Sequence, residues 1–290
     1  MVRVEGLAVR PGHRVRKGER LEVTIPKALP SSLLAEEMPL GIVYEDQWVL
    51  VLDKPAGLTV HPGAGRTHGT VVNALLAHWA GFGEMGDAVR PGIVHRLDKG
   101  TSGLMVVAKD QECQRRLAEQ LARRELERRY LALVWGVVRE PEGRIDVPIG
   151  RHLLHRQKMA PAGVRRREAV TEYWTLERYA EMSLVECRLL TGRTHQIRVH
   201  CQWIGHPVVG DPDYGGVRRR QWGKLSPQVG EALAALPSQA LHAYRLRLAH
   251  PATGQVMVFT SQPRQEMLEL LSALGSRVVD RLVPAQEAAD

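Results

Sequence analysis

What this sequence lacks narrows its chemistry before anything it contains. There are only three cysteines in 290 residues, Cys113, Cys187 and Cys201, and their spacing suits neither a disulfide framework nor a thiolate zinc cluster. No run of about eighteen apolar residues occurs, so no segment reads as a membrane-spanning helix. The opening MVRVEGLAVRPGHRVRKGERLEV has neither the apolar stretch nor the small-residue cleavage site of a secretory signal, and we expect a cytosolic protein. A dinucleotide fingerprint, a phosphate loop, zinc-protease histidine spacing and a serine or cysteine nucleophile motif are also missing, so no metal site is expected.

What is present begins with charge. Lys and Arg number 40 against 32 Asp and Glu, a net +8, and 33 of the 40 basic residues are arginine. Guanidinium groups bind phosphate bidentately and stack on bases, so an Arg-rich chain suggests a polyanionic partner. A genome that encodes Arg wherever Lys would serve explains the same numbers. A hydrophobic share of 44% and a charged share of 25% describe an ordinary globular chain, long enough for one large domain or two modest ones.

Residues 1–27 alternate apolar and polar positions around turns at Pro11-Gly12 and Lys17-Gly18, which predicts a short hairpin unit ending in a strand over 20–25. Residues 28–40 read as a linker, 41–270 as the main body and 271–290 as a C-terminal tail. In the body we expect a hairpin over 41–52, a helix capped by Thr70, an apolar strand over 104–108 and a basic amphipathic helix starting at Asp110. Further strands are expected over 130–138, 169–176, 183–190 and 241–248. Strands outnumber helices without regular interleaving, which predicts an α+β fold with a mostly antiparallel sheet.

Three windows could carry chemistry. His95-Arg96-Leu97-Asp98-Lys99-Gly100-Thr101-Ser102-Gly103 packs opposite charges into a loop before an apolar strand. There Asp98 could be a nucleophile, a base, an ion-pair partner or simply the cap of a turn. Residues 191–200, TGRTHQIRVH, crowd Arg193, His195, Arg198 and His200 around Gln196. If that segment is helical, Thr194 and His195 share a face with Arg198, giving either an anion clamp or a solvated basic helix start. In RRYLALVWG, residues 128–136, Tyr130 begins a strand, where a tyrosine most often packs in the core with its hydroxyl at the rim.

Taken together, HRLDKGTSGLMVVAK, RRYLALVWG and TGRTHQIRVH resemble the ordered motifs of the RluA-type pseudouridine synthases. GHPVVGDPDYG and LHAYRLRLAHP are similar to flanking family segments, and the resemblance spans roughly residues 41–265. It implies a pseudouridine synthase fold, a mixed and mostly antiparallel sheet with a central catalytic cleft, and isomerisation of uridine in RNA without any cofactor. Within it, Asp98, Tyr130 and Arg198 stand at the catalytic positions, with Arg198 pairing Asp98 and Tyr130 expected to stack on the uracil or to take part in proton removal as well. Arg96 stands where the family's arginine fills the gap left by the flipped uridine, a step that costs a few kcal/mol. Arg193, His195, Gln196 and Arg128 are expected among the RNA contacts, Arg128 replacing a common Lys, while Gly100 occupies a variable slot and His95 is structural. Clusters at Arg115, Arg116, Arg123 and Arg124, at 165–167 and at 218–220 are expected to form a phosphate footprint.

The gross resemblance, including VHPGAGRTHGTVVNALL, points to the subgroup acting on large-subunit ribosomal RNA, with RNA as partner and a monomeric enzyme. Transfer RNA as substrate, a non-catalytic RNA-binding protein of the same fold and a hydrolase using Asp98 with His95 or His195 are the competing readings. Residues 1–27 resemble only the strand-bearing half of the ribosomal-protein-S-four-like RNA-binding domain, a remnant or the start at an internal methionine.

Overall fold

The computed structural model describes residues 2–9, 13–23, 34–61, 68–79, 81–82, 91–155, 158–161, 163–215 and 223–278. Its architecture follows from strands too apolar to leave either face in water. β5 (Val49–Lys54) and β6 (Ser102–Ala108) are β-branched, almost unbroken apolar runs buried along nearly their whole length. They lie inside a mixed sheet completed by β4 (Gly41–Glu45), β7 (Glu127–Trp135), β8 (Glu142–Asp146), β12 (Val170–Arg178), β13 (Met182–Leu189), β14 (Leu241–Ala249) and β15 (Val256–Thr260). The order is β4-β5-β6-β14-β7-β13-β12-β8, with β15 also on β14. Every pairing is antiparallel except β6 with β14, where Ser102 faces His242 and Gly103 faces Ala243.

Side-chain alternation divides the core. Leu50, Leu52, Met105 and Val107 pack on Val71, Val72 and Leu75 of α1 (Val71–His78). Val49, Val51, Leu104 and Val106 face the opposite way, onto Cys113 and Leu117 of α2 (Gln111–Ala122). Along β7, Leu131, Leu133 and Trp135 turn toward α4 (Pro227–Ala235) and α5 (Gln265–Ala273). Tyr130, Ala132 and Val134 face the other layer, which contains Ile197 and Cys201 of α3 (Gln196–Trp203). That alternation puts Tyr130 and α3 on one side of the sheet.

Local capping explains the predicted helix starts. Thr70 and Asn73 form a reciprocal capping box on α1, and the Asp110 side chain accepts from Cys113 N–H on α2. Differences arise where local signals are weak. The N-terminal unit is a three-stranded sheet of order β2-β1-β3, formed by β1 (Val2–Val4), β2 (Leu7–Ala8) and β3 (Leu21–Val23), not a hairpin. A second small sheet of β9 (Ile149–Arg151), β10 (Met159–Ala160) and β11 (Val164–Arg167) was not expected, because VRRR has no apolar alternation and is exposed throughout. Residues 11–12, 24–33, 218–220 and 279–290, on which parts of the turn, strand, linker, arginine and tail expectations fall, lie outside the described residues.

Candidate active site

Asp98 sits in the loop that leads into β6, and its neighbours fix that loop from three directions. Thr101 N–H donates to the Asp98 carbonyl at 3.1 Å. Gly57 N–H reaches the Lys99 carbonyl at 2.7 Å. The Lys54 ammonium donates to the carbonyls of Pro55 at 2.7 Å, Leu58 at 2.9 Å and Lys99 at 3.3 Å. Lys54 is fully buried, and burial pulls its pKa down to about 7 against the opposing pull of Asp98. From the far side, Ser238 Oγ donates to the Gly100 carbonyl at 2.9 Å and Gln239 Nε2 to Thr101 Oγ1 at 3.1 Å. A Cβ at Gly100 would stand 2.7 Å from the Ser238 Cβ and overlap the Gln239 amide, so in this chain the slot is closely packed.

Arg198 enters from the first turn of α3. It is 3% exposed and holds three carboxylates. Its Nε and Nη2 grip Asp211 bidentately at 2.6 and 2.8 Å, Nη2 also donates to Asp213 at 2.8 Å, and Nη1 reaches Asp98 at 3.3 Å. Burial alone would lower the arginine pKa, but Asp211, Asp98 and Asp213 outweigh it and hold it above the ordinary value. The guanidinium also lies 4.9 Å from the Tyr214 ring centre. Asp98 is its longest contact, so the arginine is anchored by Asp211 and presented to Asp98.

Tyr130 lines the same cleft, together with Leu97, Leu189, Ile197 and Leu241. Burial pushes its phenol up to about 12, so it keeps its proton at neutral pH. Arg96 is exposed at the mouth, its Nη1 3.1 Å from His61 Nε2. Arg193 lines the cleft as well, with its Nε donating to the Glu168 carbonyl at 2.9 Å. His195 does not share a helix face with Arg198. It caps α3 in the left-handed region at φ 58°, with Thr194 before it, and its Nδ1 lies 2.8 Å from Tyr214 Oη.

Gln196 differs most from its expected role as an RNA contact. At 3% exposure it accepts from Thr191 Oγ1 and Arg193 N–H and donates to the Val170 carbonyl and Thr171 Oγ1, so its amide is engaged in holding the turn. His200 is likewise internal, bridging Thr171 Oγ1 and the Val147 carbonyl. Within the arginine footprint, Arg115 and Arg116 pair with Glu112 on their own helix and Arg124 pairs with Glu168, while 165–167 are exposed on β11. Sequence reasoning missed Lys54, Asp211, Asp213 and Tyr214. The Asp-Pro-Asp-Tyr run was a visible signal, since Asp211 also accepts from the N–H groups of Asp213 and Tyr214.

A carboxylate oriented by a buried cation, beside a neutral phenol and an apolar floor, can act on a sugar carbon while a flat base stacks next to it. A family model described as RNA pseudouridylate synthase matches residues 48–203. The chain belongs to that family, the RluA-type RNA pseudouridine synthases, and is an isomerase of uridine in RNA. It is similar to Ribosomal large subunit pseudouridine synthase D of Nitrosomonas europaea, 45% identical over 274 residues that cover 94% of this chain and 76% of the relative. The protein of the same name from Pseudomonas aeruginosa is 47% identical over 271 residues, 93% of this chain and 83% of the relative. Among solved structures, Human RNA Pseudouridylate Synthase Domain Containing 1 superposes with TM-score 0.62 at 28% identity, covering 87% of this chain and 96% of that one.

Proposed function

We propose that the protein isomerises a uridine of large-subunit ribosomal RNA, with Asp98 as the catalytic residue. The observation that carries the assignment of Asp98 is its contact with Arg198 Nη1 at the wall of the cleft that Tyr130 lines. The ribosomal substrate is supported by the names of the relatives from N. europaea and P. aeruginosa.

In the reaction the bond from N1 to C1′ breaks, the base rotates, and C5 joins C1′ while the C5 proton is lost and N1 gains one. Nothing is oxidised, so the chemistry needs no redox partner. The Asp98 carboxylate acts on the sugar, either by attacking C1′ or by assisting a glycal route. Arg198 orients that carboxylate through its Nη1 contact. Tyr130 stacks on the uracil; its raised pKa suits a packing surface better than a base. Arg96, exposed at the mouth, fills the stack that the uridine vacates.

The test is to map pseudouridine after incubating the protein with ribosomal stem-loop RNA and with transfer RNA. Wild type is expected to modify the ribosomal stem-loop, and Asp98→Asn to bind it without product. Product from the Asn variant overturns the role of Asp98, product on transfer RNA alone overturns the substrate, and binding without product by wild type favours a non-catalytic protein of this fold.

A further inference from the structure

Next to the catalytic cleft lies a second chamber of about 480 Å³ that shares Asp98, Arg96, Leu189 and Arg193 with it. That volume falls in the range of small-ligand sites and is many times the roughly 30 Å³ share of one water. The reaction as described above makes no use of it, yet its charges are unbalanced. Two carboxylates border it, and both are occupied: Asp98 by Arg198 at 3.3 Å, and Glu168 by Arg124 at 3.0 Å.

Arg128 is different. It is 7% exposed and lines the chamber, and among the described residues its guanidinium makes no hydrogen bond or ion pair, with Nε fully enclosed. Beside it, His95 Nε2 accepts from Val106 N–H at 3.2 Å, which leaves the proton of the neutral ring on Nδ1. That Nδ1 is also buried without a partner. The loop over the chamber passes so close that a Cβ at Gly192 would stand 2.9 Å from Arg128 Nη1. A glycine there lets the loop pass without a side chain pressing on the guanidinium.

Two enclosed donors and an unbalanced positive charge cost the folded chain stability, and such a cost persists where function uses it. The ligand that satisfies donors of this kind is an oxyanion, and guanidinium matches phosphate in shape and charge. We propose that the chamber seats one backbone phosphate of the substrate RNA, that of a nucleotide flanking the target uridine, on the terminal nitrogens of the Arg128 guanidinium. This rests on the reading that a uridine is isomerised at Asp98, whose carboxylate forms the wall common to both spaces.

The experiment uses a stem-loop RNA that wild type isomerises, with a neutral methylphosphonate placed singly at each phosphate near the target. Single-turnover rates are measured for wild type, Arg128→Met and Arg128→Lys. One position should slow wild type about tenfold to a hundredfold, Arg128→Met should slow unmodified RNA by a similar factor, and combining the two should add little. Arg128→Lys should recover part of the rate. Because the Met variant loses an uncompensated charge, its melting temperature should hold or rise. Full additivity at every position, or a Met variant as fast as wild type, overturns the proposal. So does a Met variant that loses activity only in step with a falling melting temperature. If millimolar inorganic phosphate stabilises wild type but not Arg128→Met, with no position singled out in the RNA, the site belongs to a free anion instead. A wild type that isomerises no RNA overturns the underlying reading itself, an outcome distinct from all of these.

Discussion

Arg198 and Arg128 line neighbouring spaces that share Asp98, 3% and 7% exposed, and the fold treats them in opposite ways. Around Arg198 it gathers Asp211, Asp213 and Asp98 and leaves the guanidinium with more negative charge than it needs. Among the described residues, no carboxylate comes within ion-pair distance of Arg128. A buried ion pair breaks heavily when one partner goes, whereas an unpaired buried charge is a burden whose removal relieves the fold. One arginine therefore reads as part of the scaffold that holds the reacting carboxylate, and the other as a group kept ready for a charge arriving from outside.

The sharpest way to break this comparison is Arg198→Ala. Three carboxylates would lose their common cation, and we expect unfolding free energy to fall by about 3–5 kcal/mol in denaturant titrations, with isomerisation lost. An unchanged stability would mean that Arg198 only orients Asp98.

Acid provides the second test. Burial, with Arg128 beside it, pulls the His95 pKa from 6.5 to about 3. Between those values the unfolded chain binds a proton that the folded chain does not, so stability rises with pH across the window and falls on acidification. The slope should approach about 1.4 kcal/mol per pH unit from His95, and His242, pulled down to about 4, acts in the same direction. His95→Gln should flatten the fall measured by thermal melting from pH 6.5 to 4, and Arg128→Met should flatten it slightly; an unchanged profile removes His95 from the account.

The smallest effect belongs to Asp213→Asn. Its side chain is 38% exposed, so its pairing with Arg198 should contribute at most about 1 kcal/mol, with isomerisation rates within a few fold of wild type. A much larger loss would place Asp213 on a par with Asp211.

Much of the fold was legible because its causes are local. The apolar runs of β5 and β6, the Thr70 and Asp110 caps and the alternation that buries Tyr130 all lie within a few residues of the chain. Where local patterns compete, the reading failed. TGRTHQIRVH looks helical from Thr194, but His195 takes a left-handed turn and the helix starts at Gln196. Gln196 looks like a contact residue because it sits among cations, and only the turn packed around it shows where its amide bonds. Asp98, Tyr130 and Arg198 were named by resemblance; neither charge nor spacing would have paired residues 98 and 198.

By itself, the sequence determined which segments become strands, which residues cap the helices and the order in which the motifs occur, since these depend on neighbours along the chain. It also set a surplus of +8, with 33 arginines. Only the tertiary structure decided which of those arginines is paired. A guanidinium is balanced or left wanting by atoms within about 3 Å of it, and for Arg198 and Arg128 those surroundings are assembled from segments distant in sequence.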